Sequence, residues 1–86
     1  MKLVVSVVLA FGCSSVLAAA NCPKYAKSEW MKPEEAKSKI EARGYKIKKF
    51  KVDGNCYEIY GENKEGKKAE VYFDAKTLAI VKSEVK

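Results

Sequence analysis

A change of hydrophobic spacing at Gly44 constrains the fold more than any other feature of the sequence. Before Gly44, the apolar residues Ala36 and Ile40 lie four positions apart, so they share one face of a helix. Pro33 suits the first position of a helix and Gly44 the position just after its end, so we predict one helix between them. After Gly44, apolar and polar residues alternate, which is typical of half-buried β-strands.

Turn residues divide the alternating part into short strands. Two turn signals are present, at Asp53-Gly54-Asn55 and in the segment 63–67, which contains Gly66. In the first strand the apolar residues change from odd to even positions, and a β-bulge near Lys48-Lys49 would keep them on one face. A last apolar piece, residues 78–81, predicts a short edge strand that ends in a charged tail. We therefore predict an α+β fold, with one N-terminal helix packed on an antiparallel meander sheet of three to four strands. The predicted core face of the sheet comprises Ile47, Phe50, Val52, Tyr57, Ile59, Val71 and Phe73.

The first twenty residues have a separate character, since they hold fifteen of about forty-one hydrophobic residues and no acid. Lys2, an apolar run and the small residues of 18–20 follow the order of a secretory signal peptide. Two alternatives are a lipoprotein signal that ends at Cys13 and a retained anchor, although residues 12–15 interrupt the apolar run early for a span. We predict cleavage after Ala20, a periplasmic or secreted bacterial protein, no stable membrane anchor, and a single domain over residues 21–86.

Two cysteines, Cys22 and Cys56, remain after the predicted cleavage. A small exported domain with an even pair of cysteines usually joins them, and closing this loop stabilises the fold by roughly 3–4 kcal/mol. We therefore predict a structural disulfide, which matters because a domain this small is marginal on burial alone. The alternative is a redox-active or metal-binding pair, although CxxC spacing and a third ligand are missing.

The composition excludes several classes of catalytic site. The chain has no histidine, which excludes Ser-His-Asp and Cys-His nucleophile systems and histidine-ligated metals. No glycine-rich loop opens a helix, so nucleotide binding has no support. The carboxyl groups of Glu58 and Glu70 are interpreted as part of a solvated sheet face. We therefore expect no catalytic residues, no cofactor and no metal site.

Net charge is +6, and a dense basic run comprises Lys46, Lys48, Lys49 and Lys51. Such a run can bind phosphates or meet an acidic partner. The lysines can also keep an exposed strand soluble and prevent edge pairing. Sixteen lysines against the single arginine, Arg43, weaken the case for specific phosphate recognition, and we expect no nucleic-acid partner.

The second face of the predicted sheet is the candidate binding surface. Strand alternation places Tyr60 and Tyr72 there, flanked by Glu58 and Glu70. Tyrosines on an uncovered face are good contact residues for a protein or peptide partner. The alternative is that residues 21–31, tied down by a disulfide, lay an aromatic side chain across this face and cover it.

Four segments, in this order and spacing, resemble a single PepSY domain of the small exported bacterial type. They are Trp30-Met31-Lys32-Pro33-Glu34-Glu35-Ala36, Gly44-Tyr45-Lys46-Ile47, Cys56-Tyr57-Glu58-Ile59-Tyr60 and residues 66–74. The resemblance covers nearly all of residues 22–82, but Asp74 is followed by Ala75, where the family usually has proline, and Thr77 by Leu78, where it usually has glycine.

The resemblance implies a helix against an antiparallel sheet and a regulatory role by binding, with inhibition of peptidases as the usual proposal. It implies no catalytic residues. The predicted function is a non-catalytic periplasmic module that binds an exported protein or peptide. The alternative is a redox or envelope-stress accessory protein that acts through Cys22 and Cys56.

Overall fold

The computed structural model describes residues 20–86. A 3-10 helix (Lys27–Glu29) and one α-helix, α1 (Pro33–Ala42), precede four strands, β1 (Lys46–Asp53), β2 (Cys56–Glu62), β3 (Lys68–Asp74) and β4 (Ile80–Val85). The strands form one antiparallel sheet in the order β1-β2-β3-β4. This confirms the prediction of an α+β fold with one helix and a meander sheet. Apart from Ala20, the predicted signal peptide lies outside the described residues.

The hairpin of β1 and β2 contains the predicted bulge, between Ile47 and Lys49. The bulge brings the β1 backbone unusually close to Gly61 on β2, where an added Cβ would lie 1.8 Å from the carbonyl oxygen of Lys46. Only glycine fits at this position, because any side chain would collide with the backbone of β1. Gly61 therefore allows the close approach of β1 to β2.

The core lies between α1 and one face of the sheet. Ala36 and Ile40 are the buried residues of α1. They belong to a buried cluster with Tyr57, Ile59, Ala69, Val71, Phe73, Ala75 and Leu78. This face is called the helix-facing side below.

The segment that leads into α1 covers one end of the helix-facing side. Trp30 packs edge-on against Tyr57, with ring centroids 5.3 Å apart, and the Tyr57 hydroxyl donates to the carbonyl of Met31. The backbone N–H of Met31 donates to the carbonyl of Ala75, 2.9 Å away. The lead-in is thus attached to the sheet and to the turn after β3 by ring packing, one side-chain hydrogen bond and one backbone hydrogen bond.

The prediction of Val52 as a core residue is wrong, because 52% of its surface is exposed. Val52 does share a parity with Phe50 and lies opposite Tyr57. However, Trp30 packs on Tyr57 of the inner strand β2, and Val52 on the edge strand lies only at the rim of a groove beside that contact. Strand parity thus placed Val52 on the correct side of the sheet, where the lead-in fails to cover it.

The predicted last strand is also displaced, since β4 is Ile80–Val85 rather than residues 78–81. Leu78 instead lies in the preceding turn, fully buried and with a φ of 62°. The Asp74 carboxylate stabilises this turn by accepting the backbone N–H groups of Lys76 and Thr77. The predicted charged tail belongs to this strand, where Lys82 and Glu84 lie on one side of β4, opposite Tyr72 and Glu70 of β3.

Candidate functional site

The face of the sheet opposite α1 carries the four candidate binding residues, Glu58, Tyr60, Glu70 and Tyr72, and is called the Tyr–Glu face below. Glu58 pairs across the strands with Tyr72, and Tyr60 pairs with Glu70. Each glutamate therefore has a tyrosine as its direct neighbour on the adjacent strand. The four side chains form a compact square on the two inner strands, where directly opposed side chains interact most strongly.

The Tyr–Glu face is much less exposed than the sequence suggested. Glu58 is 1% exposed and Tyr72 is 7% exposed, whereas Tyr60 is 38% exposed. The interpretation of Glu58 and Glu70 as a solvated pair is therefore wrong. Both lie on inner strands, where the neighbouring aromatic and lysine side chains shield them from water. Of the four residues, Tyr60 is the most exposed.

The carboxyl groups of Glu58 and Glu70 shift each other's pKa in opposite directions. Oε2 of Glu58 is buried and has no hydrogen-bond partner. Burial, followed by the hydrogen bond with Glu70, raises the pKa of Glu58. The same hydrogen bond lowers the pKa of Glu70, whose Oε2 accepts the Tyr72 hydroxyl at 2.8 Å. A protonated Glu58 that donates to an ionised Glu70 satisfies the buried oxygen and removes one buried charge.

Lysines surround the acid pair. Lys51 Nζ lies 3.8 Å from Glu58 Oε1, and Lys86 Nζ lies 3.8 Å from Glu70 Oε1. Lys51 also lies 5.3 Å from the centre of the Tyr60 ring, and Lys82 lies 5.9 Å from that of Tyr72. Positive charge over an aromatic ring is favourable, and the aliphatic part of each lysine covers apolar surface. The rim of the Tyr–Glu face is therefore basic around an acidic centre.

The two tyrosines remain protonated over the physiological range. The hydrogen bond with Glu70, together with burial and the nearby Glu58 charge, raises the pKa of Tyr60 to about 12. Burial and then the hydrogen bond with Glu70 raise the pKa of Tyr72. These shifts are opposite to those that a nucleophile or general base requires. The hydroxyl groups are suited to donating hydrogen bonds rather than to proton abstraction.

A shallow cavity of about 410 Å³ adjoins Tyr60. Its lining comprises Lys48, Tyr60, Gly61, Lys68, Ala69, Glu70 and Lys86. The cavity combines an aromatic ring, a small apolar floor and three ammonium groups beside one carboxylate. Such a surface can hold an acidic or carboxylate-bearing group against the ring, since the lysines supply the complementary charge.

The disulfide lies at one end of the Tyr–Glu face. Cys22 and Cys56 are joined, with 2.02 Å between the sulfur atoms, as predicted. Cys56 is fully buried, and disulfide exchange requires a thiolate to reach a sulfur atom, so the burial favours a structural role. Nearby, the Tyr25 hydroxyl donates to Asp74 at 3.0 Å. The lead-in thus contacts this end of the face, while its Trp30 packs on the other side of the sheet.

Residues 20–86 contain neither a metal-binding cluster nor a helix that could span a membrane. No three side chains of the histidine, cysteine, aspartate and glutamate types come together in a way that could hold a metal ion there. In the same range, no helix is long and apolar enough to cross a membrane.

The arrangement of one helix on a four-stranded meander agrees with comparison to known families. The family described as "Peptidase propeptide and YPEB domain", or PepSY, matches residues 2–84. The chain belongs to the PepSY family. Its members are propeptide-like and inhibitor-like domains that are generally non-catalytic. No curated protein and no solved structure matches the chain.

Sequence reasoning missed the cavity of this PepSY domain. It placed Lys48 in a general basic run and did not connect Lys68 or Lys86 with Tyr60. Residues Lys68 and Lys86 are brought together by a backbone hydrogen bond between β3 and the end of β4, with a length of 2.8 Å. The register of the two hairpins could have shown that these lysines lie near Tyr60, but deriving that register requires the position of the bulge in β1.

Proposed function

We propose that this PepSY domain is an exported, non-catalytic binding module that regulates an envelope peptidase or another exported protein. Membership of a propeptide-like and inhibitor-like family supports the regulatory role. The signal-peptide pattern of residues 1–20 supports export to the periplasm or the medium. The buried disulfide is consistent with an oxidising compartment.

The observation that carries the proposal is the exposure of Tyr60 beside a basic cavity. Tyr60 is the most exposed member of the Tyr–Glu face, and three lysines line the adjacent cavity. Binding sites on protein surfaces are enriched in tyrosine, because its ring buries much area and its hydroxyl still forms a hydrogen bond. The partner surface is expected to be acidic, since it has to meet Lys48, Lys68 and Lys86.

Site-specific photo-crosslinking in the producing cell tests this proposal. A benzophenone side chain replaces Tyr60 in one variant and Val52 in a second, matched variant. Val52 is also exposed but lies on the helix-facing side, away from the cavity. We expect a discrete crosslinked product from position 60 and none from position 52, with the partner identified by mass spectrometry.

The purified partner then decides the regulatory part of the proposal. For a peptidase, its hydrolysis of a protein substrate is measured with increasing amounts of wild-type protein and of Tyr60→Ala. Inhibition or activation by the wild type that weakens at least about fivefold in the variant supports the proposal. Equal crosslinking from both positions contradicts the proposed surface, and a partner whose activity and stability are unchanged contradicts regulation.

A further inference from the structure

The open edge of β4 exposes unpaired backbone groups together with three apolar side chains. β4 is an edge strand, and its residues Ile80, Val81 and Val85 are exposed. A free edge presents unpaired N–H and C=O groups that can pair with another strand. Natural edges are usually protected by bulges, lysines or coverage. The central and final parts of β4 have a regular register with β3, and the bulge is confined to the start of the strand.

The hydrogen bonds of β4 identify which of its residues face outward. The N–H of Lys86 donates to the carbonyl of Lys68, so Lys86 directs its backbone toward β3. Along an antiparallel edge strand, alternate residues bond to the neighbour and the others face out. Ser83 and Val85 therefore direct their backbone groups to open solvent. Val81, the extra residue of the bulge, has no partner on β3.

The side chains of β4 complement each other in one antiparallel register. If a second β4 pairs with the first about a two-fold axis at Ser83, Val81 lies opposite Val85 of the other copy. In the same register, Lys82 lies opposite Glu84 of the other copy, and Glu84 opposite Lys82. Both pairs occur twice by symmetry. Opposite charges and apolar residues directly across an antiparallel pair are stabilising.

The neighbouring registers are unfavourable. Moving the axis to Lys82 places two lysines directly opposite each other, and moving it to Glu84 places two glutamates opposite. Like charges in direct opposition destabilise a strand pair. The β1 edge lacks this complementarity, because it is bulged and carries four lysines, Lys46, Lys48, Lys49 and Lys51. The two registers next to the Ser83-centred one therefore oppose like charges, and the β1 edge offers no matching pattern.

We propose that two copies of this chain associate through β4 in the register centred on Ser83. The product is a continuous eight-stranded antiparallel sheet with both α1 helices on the same side. The occupant of the open edge is a second copy because the charge pattern of the strand is its own complement. This inference goes beyond the proposed function and is independent of whether the partner is a peptidase.

Sedimentation velocity of the purified protein over a concentration series tests the inference. We expect a reversible monomer–dimer equilibrium for the wild type. Lys82→Glu and Glu84→Lys each create like-charge pairs twice, so each variant alone should dimerise about tenfold more weakly or worse. An equimolar mixture of the two single variants should regain association, because every Lys–Glu pair is restored between unlike chains. The double variant should regain it with itself.

Two further variants separate the edge from the rest of the protein. Ser83→Pro removes an outward N–H that β3 does not use, so it should abolish dimerisation while thermal unfolding still shows a cooperative transition. Lys49→Glu on the exposed part of β1 is the matched charge control and should leave the dimer unchanged. A wild type that stays monomeric throughout overturns the inference. A mixture that fails to regain association, or a Ser83→Pro dimer as strong as that of the wild type, also overturns it.

Discussion

The two faces of the sheet are buried to a similar degree at their centres but by opposite means. On the helix-facing side, Ile59 and Val71 are fully buried under α1 and apolar neighbours. On the Tyr–Glu face, Glu58 and Tyr72 are nearly as buried, although they lie beneath ionisable and aromatic side chains of the sheet itself. An α-helix thus covers one face, while the other face is covered by its own side chains.

The two kinds of burial suit different roles, because the helix-facing side stabilises the fold and the Tyr–Glu face has a side chain that another protein can contact. Apolar contacts under a helix are non-directional and stabilise the fold in proportion to the area removed from water. A buried polar cluster stabilises only when each group has its partner, so it is sensitive to pH and to single atoms. Its exposed member, Tyr60, can gain partners from another protein without uncovering the core. The predictions below test this contrast, from the largest effect to the smallest.

The helix-facing side should respond most strongly at Gly61. Gly61→Ala places a methyl group against the Lys46 carbonyl, so the β1 bulge must move, and we expect a loss of about 4 kcal/mol or more in the free energy of unfolding. Gly54→Ala is the control, because Gly54 has a positive φ but open space around it, and it should cost only about 1 kcal/mol. Urea denaturation measures both. Equal losses would show that the close approach of β1 is unimportant.

Ile59→Ala should be the next most damaging change. It removes a fully buried side chain between α1 and the sheet, and we expect a loss of about 3 kcal/mol from the transfer and cavity terms together. Denaturant unfolding followed by circular dichroism provides the measurement. A loss below about 1 kcal/mol would mean that the core relaxes around the cavity, and the contrast between the faces would then fail.

The acid pair predicts an asymmetry between two conservative substitutions. Glu58→Gln keeps a donor toward Glu70, so its effect should stay below about 1 kcal/mol. Glu70→Gln removes the anion that accepts from Glu58 and Tyr72, so we expect a loss of about 1–3 kcal/mol. Both are compared by urea unfolding at neutral pH. If Glu58→Gln loses more stability than Glu70→Gln, Glu70 rather than Glu58 is the carboxyl group that donates the hydrogen bond.

The pH dependence of stability should reflect the opposite pKa shifts of Glu58 and Glu70. The raised pKa of Glu58 stabilises the fold below the ordinary value of 4.5, and this contribution is lost as pH rises through the folded-state pKa. The lowered pKa of Glu70 stabilises the fold above 4.5, and this contribution is lost as pH falls. The stability of the wild type relative to Glu58→Gln should therefore fall as pH rises above 4.5. A difference that is flat across an unfolding series in pH contradicts the raised pKa of Glu58.

The smallest effect on stability is expected at Tyr60. Tyr60→Ala should cost less than about 1 kcal/mol, since the side chain is partly exposed, whereas Tyr72→Ala removes a buried ring and should cost at least about 2 kcal/mol. The pair is compared by thermal unfolding. If Tyr60→Ala is as damaging as Tyr72→Ala, Tyr60 is part of the packed structure, and any loss of partner binding in that variant would be ambiguous.

Local patterns predicted the elements that depend on neighbouring residues. The bulge near Lys49, the turn at Gly54 and the end of the helix at Gly44 follow from parity and from turn chemistry, and all three are present. The errors occur at positions whose burial depends on residues far away in the chain. Val52 has the right parity but no cover, and Leu78 adopts a positive φ in a turn where its side chain is buried.

The sequence by itself determined the order of the elements and the faces of the strands, because hydrophobic period and turn residues are local properties. It also indicated the pairing of Cys22 with Cys56, since the third cysteine, Cys13, lies in the signal-peptide pattern. Only the tertiary structure decided that Glu58 is buried, that Tyr60 is exposed, and that Lys48 and Lys86 lie beside the same cavity. The pKa of a carboxyl group and the exposure of a ring depend on which strands lie side by side and in what register. Register and coverage arise from contacts between residues far apart in the chain, and period-two alternation does not specify those contacts.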